Sequence, residues 1–307
     1  MTLTKTFRAH LALFLVNAIY GANHILAKGV MPAYLTPNVF ILLRVVGATI
    51  LFWVIKLLFF KEQVQRKDLF LLAVCGFFGV AANQLFFFHG LNLSSAMNSG
   101  IIMTLNPIMV AVLAFFVLKE QMFPWKIVGI LLGALGAILL TLNSGKVAGD
   151  SMLGDLLLFI NAVSYAFFLV LVKPLMQKYS PITVSAYVFS FGTLFVLLFP
   201  PTLQDAFVTN FSIIPTEIWF KITYVIVAVT FLSYLLTVYG LKQLSASVSS
   251  SYIYFQPMMV IFFAYLFVEL GISEDYTNTI TAEKIGYMFL IFIGVFLVAQ
   301  AKKWSRN

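Results

Sequence analysis

Asn17, Tyr20 and His24 stand in one apolar stretch of the chain, separated by three and then four residues. On a helix that spacing puts all three on one face. An amide, a phenol and an imidazole offer donors, acceptors and aromatic surface, and the imidazole can hold a proton near neutral pH. Polar residues of similar kind recur in other apolar stretches: Asn83 with Gln84, Asn106, Tyr165, Ser233 with Tyr234, and Tyr252 with Gln256 one helical turn apart. Gathered at one place, they would line a pocket for a small amphipathic solute such as an amino acid. Taken singly, each could instead make an interhelical hydrogen bond worth about 0.6 kcal/mol. As a set they form the candidate substrate-binding residues.

Other chemistries find less support. The sequence has no HExxH pair, no membrane-embedded pair of carboxylates and no phosphate-binding glycine–lysine loop. Its three histidines are His10, His24 and His89, and only His24 is central in its stretch. No catalytic residues, metal ligands or cofactor are therefore expected, nor ATP-driven pumping by this chain alone. A channel-like facilitator, or an intramembrane enzyme without a recognisable motif, stands as the alternative. No aspartate or glutamate lies mid-span, so proton relays have few candidates besides His24. The balance leans towards facilitated diffusion or weak coupling.

The elements that must position these residues are membrane helices. Hydrophobic residues make up 62% of the chain and charged residues 10%. Apolar stretches fall near 9–28, 38–60, 69–90, 95–117, 124–142, 153–173, 181–201, 218–239, 246–268 and 283–301. Each approaches the ~20 residues that cross a hydrocarbon core. They are too long and too evenly apolar for barrel strands, which leaves helices to satisfy the backbone in lipid. The expectation is an all-α integral membrane protein of ten transmembrane helices, the first an uncleaved helix rather than a signal peptide.

The net charge of +8 reports topology rather than nucleic-acid binding. With the N-terminus in the cytoplasm, fourteen of the nineteen Lys and Arg residues fall inside. Lys28, Lys146, Lys221 and Lys284 fall outside, and Arg44 lies within a span. This positive-inside bias puts both termini in the cytoplasm, with the chain multi-pass in the plasma (inner) membrane. Arg44 would cost about 2.5–3.5 kcal/mol at a helix centre. Two turns from the outer end, it is expected to snorkel outward or make a structural contact, with a substrate carboxylate as the alternative partner. The single cysteine, Cys75, can form no internal disulfide.

The chain also repeats itself. YGANHILAK at 20–28 aligns with YAFFLVLVK at 165–173, an offset of 145. Gly90-Leu91 with Gly240-Leu241, Ser95-Ala96 with Ser245-Ala246, and Asn106-Pro107 with Gln256-Pro257 share an offset of 150. An acidic residue, Glu120 or Glu269, follows each proline stretch. Residues 1–145 and 146–307 thus read as two halves of five spans each. An odd number of spans makes the second half enter from the opposite side, giving two inverted five-helix repeats with a site between them. Pro107 and Pro257 deny an N–H to the carbonyls of Met103 and Ile253, which suits hinges or static kinks.

These elements resemble the EamA-type family of the drug/metabolite transporter superfamily. The likeness rests on YGANHILAK, Arg44, Ser95-Ala96, Asn106-Pro107, Lys119-Glu120 and Lys126-Ile127-Val128-Gly129, and it runs over nearly the whole chain. It implies ten helices in an inverted five-plus-five arrangement that exports or exchanges small organic metabolites. Helices 1, 3, 4, 6, 8 and 9 would line the cavity, and alternating access would be the mechanism. Tyr20 stands where the family usually has tryptophan, and Asn106 precedes the proline, so solute identity stays open. The partners implied are the solute and the lipid bilayer. Gly129 and Gly133, with Gly136 following, mark a close helix contact, either within the chain or in a homodimer. The polar loop 270–282 reads as an external solvated connection.

Overall fold

A computed structural model describes residues 5–118, 122–143, 151–244, 249 and 252–304. Lys119, Glu120, Lys146, Asp150, Ser245, Ala246 and the expected boundary at 145 lie outside these residues. Among the described residues all regular structure is helical. In chain order the helices are α1 (Lys5–Lys28), α2 (Pro37–Phe59), α3 (Arg66–Leu93), α4 (Ala96–Met103), α5 (Asn106–Leu118) and α6 (Pro124–Leu142). Then follow α7 (Met152–Lys178), α8 (Pro181–Leu197), α9 (Pro200–Val208), α10 (Thr216–Gln243), α11 (Phe255–Glu269) and α12 (Ala282–Trp304).

Among the described residues, six helical stretches are long and apolar enough to cross a membrane: α1, α2, α3, α4 with α5, α7 and α10. The bent pair α8 and α9 would make a seventh. Large apolar side chains such as Leu57, Phe70, Phe116, Phe207 and Phe220 point outward, while Asn17, Gln84, Asn98 and Asn106 are buried. That inside-out distribution belongs to a protein whose surroundings are lipid. The chain is a multi-pass membrane protein.

Local sequence explains where the helices begin and end. Thr36 caps α2 by accepting from Val39 N at 3.4 Å, and Ser180 caps α8 by accepting from Thr183 N at 3.2 Å. A proline opens each helix directly after its cap, where its missing N–H costs nothing. The stretch at 181–201 does not run straight: α8 stops at Leu197 and α9 leaves it at 76°. Pro200 disfavours helical geometry at Phe199 before it, which is extended, while Pro200 and Pro201 both suit the first turn of a new helix.

The fourth stretch is broken where the sequence suggested a kink. Thr104 and Leu105 form a turn, their N–H groups reaching Ile101 O and Ile102 O at 3.0 Å each. α5 then starts at Asn106-Pro107. In the later stretch a 3₁₀ turn, Tyr252–Tyr254, leads into α11 and Pro257. Two further irregularities were not expected. Phe77–Ala81 within α3 and Val225–Leu232 within α10 are π-helical, a geometry often found at functional sites.

α6 packs along α12, α7 along α3 and α5, α1 along α10 and α11, and α8 along α2 and α3. A Cβ on Gly129 would sit 2.3 Å from Gly294 O, and one on Gly294 would sit 2.6 Å from Gly129 O. The GxxxG face is therefore spent inside the chain against α12. The loop after α11 is ordered by Gly271, whose φ of 64° lets Ile272 N reach Phe267 O at 2.8 Å. This is the usual glycine termination of a helix.

Candidate functional site

A cavity of about 70 Å³ lies where α1, α2, α3, α7 and α10 meet the broken ends of α4–α5 and α11. Its wall includes Tyr20, Asn23, His24, Arg44, Asn83, Gln84, Asn106, Asn161, Tyr165, Tyr234 and Gln256. Phe87, Phe88, Val229, Met103 and Ile253 add apolar surface. Met103 and Ile253 are the residues whose carbonyls Pro107 and Pro257 leave without an N–H partner. Both breaks thus bring a proline-freed turn to the same wall.

The wall is rich in buried polar atoms that find no partner among the described residues. They are Asn23 Oδ1, Arg44 Nη1, Gln84 Nε2 and Oε1, Asn106 Nδ2 and Oδ1, and Gln256 Oε1. A buried polar atom without a hydrogen bond costs about 1–3 kcal/mol. Seven such atoms around one space make sense where a polar solute or water completes them.

Other wall residues are firmly held. Asn161 Nδ2 donates to Asn83 O at 2.6 Å. The Tyr234 hydroxyl donates to Gly79 O at 2.5 Å, inside the first π-turn, with Asn83 Oδ1 3.2 Å away. His24 Nδ1 pairs with Ser99 Oγ. That hydroxyl also donates to Ala96 O at 3.1 Å, so it accepts from His24, and Nε2 keeps the ring's lone pair. Arg44 Nε donates to Thr230 Oγ1 at 2.9 Å, and Thr230 in turn donates to Val225 O at 2.7 Å, closing the second π-turn. The Arg44 guanidinium lies 4.2 Å from the Phe88 ring centroid.

A smaller cavity of about 20 Å³ lies beyond it, lined by Asn17, Thr237 and Ser249 among others. Tyr20, Asn106, Tyr165 and Ile253 border both spaces and form the layer between them. Past this layer, Gln256 Nε2 donates to Asn17 Oδ1 at 3.1 Å, and His10 Nδ1 lies 2.6 Å from the Tyr252 hydroxyl. Lys173 closes the end of α10 through Leu241 O and, at 2.5 Å, Leu244 O.

Of the residues expected to bind solute, Tyr20, His24, Asn83, Gln84, Asn106, Tyr165, Tyr234 and Gln256 meet at the main cavity. Asn17 belongs to the smaller one. Ser233 faces neither: its hydroxyl donates to Ala228 O at 3.0 Å within the π-turn. Tyr252 is likewise outside, engaged by His10. Pro107 and Pro257 are buried beside the cavity at the helix breaks. Arg44 does not snorkel: it is 4% exposed and faces the cavity. Asn161 stands one turn before Tyr165, on the same helical face, and that spacing could have revealed it. Asp155, at the first turn of α7, is buried away from the cavity, accepting from Ser94 Oγ at 2.5 Å and Asn98 Nδ2 at 3.0 Å.

The EamA-like transporter family matches this chain over residues 7–142 and 152–300. The chain is 27% identical to the uncharacterized transporter YetK of Bacillus subtilis (strain 168), over 80% of this chain and 75% of that protein. It is 30% identical to the uncharacterized transporter YyaM of the same organism, over 66% of this chain and 68% of that one. An uncharacterized transporter of Archaeoglobus fulgidus is 24% identical over 88% and 91% of the two chains. A protein solved by crystallography aligns over 96% of both chains with a TM-score of 0.63 and 16% identity, a likeness of fold.

Proposed function

The chain belongs to the EamA-like transporter family, and we propose that it exports an amino acid or a similar small metabolite by alternating access. Ten membrane helices arranged as two inverted five-helix repeats, with both termini in the cytoplasm of the inner membrane, would carry this out. Several observations support that arrangement. The family match falls in two stretches of similar length. The capped helix starts at Thr36 and Ser180, the π-turns in α3 and α10, and the breaks before Pro107 and Pro257 recur in the same order. Helix pairings recur too: α1 with α10 and α11 parallels α7 with α3 and α5.

The observation that carries the reading is the ring of seven buried, unpartnered polar atoms around one space. A static bundle would gain by replacing them with apolar groups. A site that takes up and releases a polar solute needs them. The space of about 70 Å³ is well under the roughly 300–1,000 Å³ of pockets that hold drug-sized ligands. The two halves must therefore part to admit a solute, and the layer of Tyr20, Tyr165, Asn106 and Ile253 is where they would part on one side. Pro107 and Pro257 stand at the breaks that would flex.

Solute counterflow in proteoliposomes tests this. Saturable exchange of amino acids is expected, with Tyr20→Ala or His24→Ala lowering the rate about tenfold, the effect of losing roughly 1.4 kcal/mol of binding, at unchanged expression. Ohmic current would favour a channel, and product formation an enzyme. Unaltered exchange in both variants would reject this face of α1 as the site.

A further inference from the structure

We propose that Arg44 holds a single carboxylate of the transported solute, so that the cavity selects small monocarboxylates, α-amino acids among them. The inference rests on the transport reading above and names the chemistry its site recognises.

Arg44 combines features that a purely structural arginine lacks. Its guanidinium is buried and borders the cavity. Thr230 fixes the Nε edge, and the Phe88 ring covers one face. Nη1 is left buried without an acceptor. Among the described residues, the cavity wall has no aspartate or glutamate. The titratable groups facing Arg44 are the phenols of Tyr20 and Tyr234, which are neutral at physiological pH. A buried cation is tolerated when an anion pairs with it, and here the protein supplies none at the wall. A fork whose one edge is held in place and whose other end is open suits a carboxylate, which guanidinium groups bind through paired hydrogen bonds.

The charge also sets the kind of anion. Among the described residues, Arg44 is the one lysine or arginine at the wall, so it balances a monoanion. A phosphate monoester carries about −1.5 to −2 at neutral pH and would leave charge uncompensated. Around Arg44, the unpartnered oxygens of Asn23, Gln84, Asn106 and Gln256 accept hydrogen bonds, which is what an ammonium group offers. The solute that completes these atoms has one carboxylate, N–H donors and a small body.

The test uses the full-length protein in proteoliposomes, with release followed by mass spectrometry. Vesicles are loaded with leucine, leucinamide, phenylalanine, phenylalaninamide, 3-phenylpropionate, phenethylamine and glycerol 3-phosphate. The wild-type protein is expected to release the carboxylates and retain the amides, the amine and the phosphate. R44Q should lower carboxylate release at least about tenfold and bring the acid-to-amide ratio close to one, while R44K recovers part of it. A packing role alone would lower all rates without moving that ratio. If R44Q does not reach the membrane, T230V, which keeps the charge but frees its fork, should raise the half-saturating concentration of the acids several-fold. Release of amides as readily as acids, preference for the phosphate, or an intact acid preference in R44Q would overturn the anchor and leave transport standing. Release of nothing by the wild-type protein would overturn the transport reading, and the anchor with it.

Discussion

The two π-turns use one backbone device for opposite purposes. In α3, at Phe77–Ala81, the turn offers a carbonyl: Gly79 O receives the Tyr234 hydroxyl from α10. In α10, at Val225–Leu232, the turn offers a side chain: Thr230 Oγ1 receives Arg44 Nε from α2. Each turn thus takes a donor from the other half of the chain. The backbone is matched while the chemistry is not, since a phenol crosses one way and a guanidinium the other. In the two-half arrangement proposed above, the solute would meet charge from one side of the pocket and a neutral hydroxyl from the other.

The first turn should be the more fragile, because it depends on having no side chain. A Cβ at Gly79 would stand 2.4 Å from Phe168 Cδ2, and Phe168 is itself fully buried. Gly79→Val is expected to destabilise the protein by about 3 kcal/mol, the upper range for overpacking a core, as measured by unfolding in detergent. Adding Phe168→Leu should restore part of the loss. An undisturbed Gly79→Val protein would mean that the α3 turn tolerates bulk and that its likeness to the α10 turn is superficial.

The second turn depends on a hydroxyl. Thr230→Val keeps the shape but removes both the acceptor for Arg44 and the donor to Val225 O. Leaving a buried charged donor unpaired should cost about 2 kcal/mol, and Thr230→Ser should recover most of it. Equal stability of the Val and Ser variants would show that the Phe88 ring alone holds the guanidinium.

This contrast also marks what the sequence could and could not convey. Tyr20, His24 and Asn106 were legible because helical spacing and the two offsets pointed to one shared interior. The breaks at Thr104–Leu105 and Tyr252–Tyr254 were legible from Pro107 and Pro257. The π-turns were not, because the residues they depend on, Gly79 and Thr230, are of types common throughout ordinary membrane helices. Ser233 stands outside both cavities because its hydroxyl serves the widened turn through Ala228 O. Of the two readings favoured for Arg44, the structural contact is the one present, but its distance along α2 from the membrane surface says nothing of its partners Phe88 and Thr230, which come from α3 and α10. The turn-and-cap match of Thr36 with Ser180 lay in the sequence at an offset of 144 and was a signal available to be used.

Tyr234→Phe should have the smallest effect alone, about 1 kcal/mol for one buried hydrogen bond, but it sharpens the comparison most when combined. Tyr234 and Thr230 stand one turn apart on α10, and both face the surroundings of Arg44. If the crossings hold α10 jointly, cutting one loosens the helix and lowers what the other contributes. The Tyr234→Phe, Thr230→Val double variant should then lose less stability than the two singles combined, by more than about 0.5 kcal/mol, the margin within which independent sites add. Strict additivity would make the crossings separate struts. A change of solute preference would then be expected only where the guanidinium is disturbed, and the phenol could be exchanged without altering what the cavity admits.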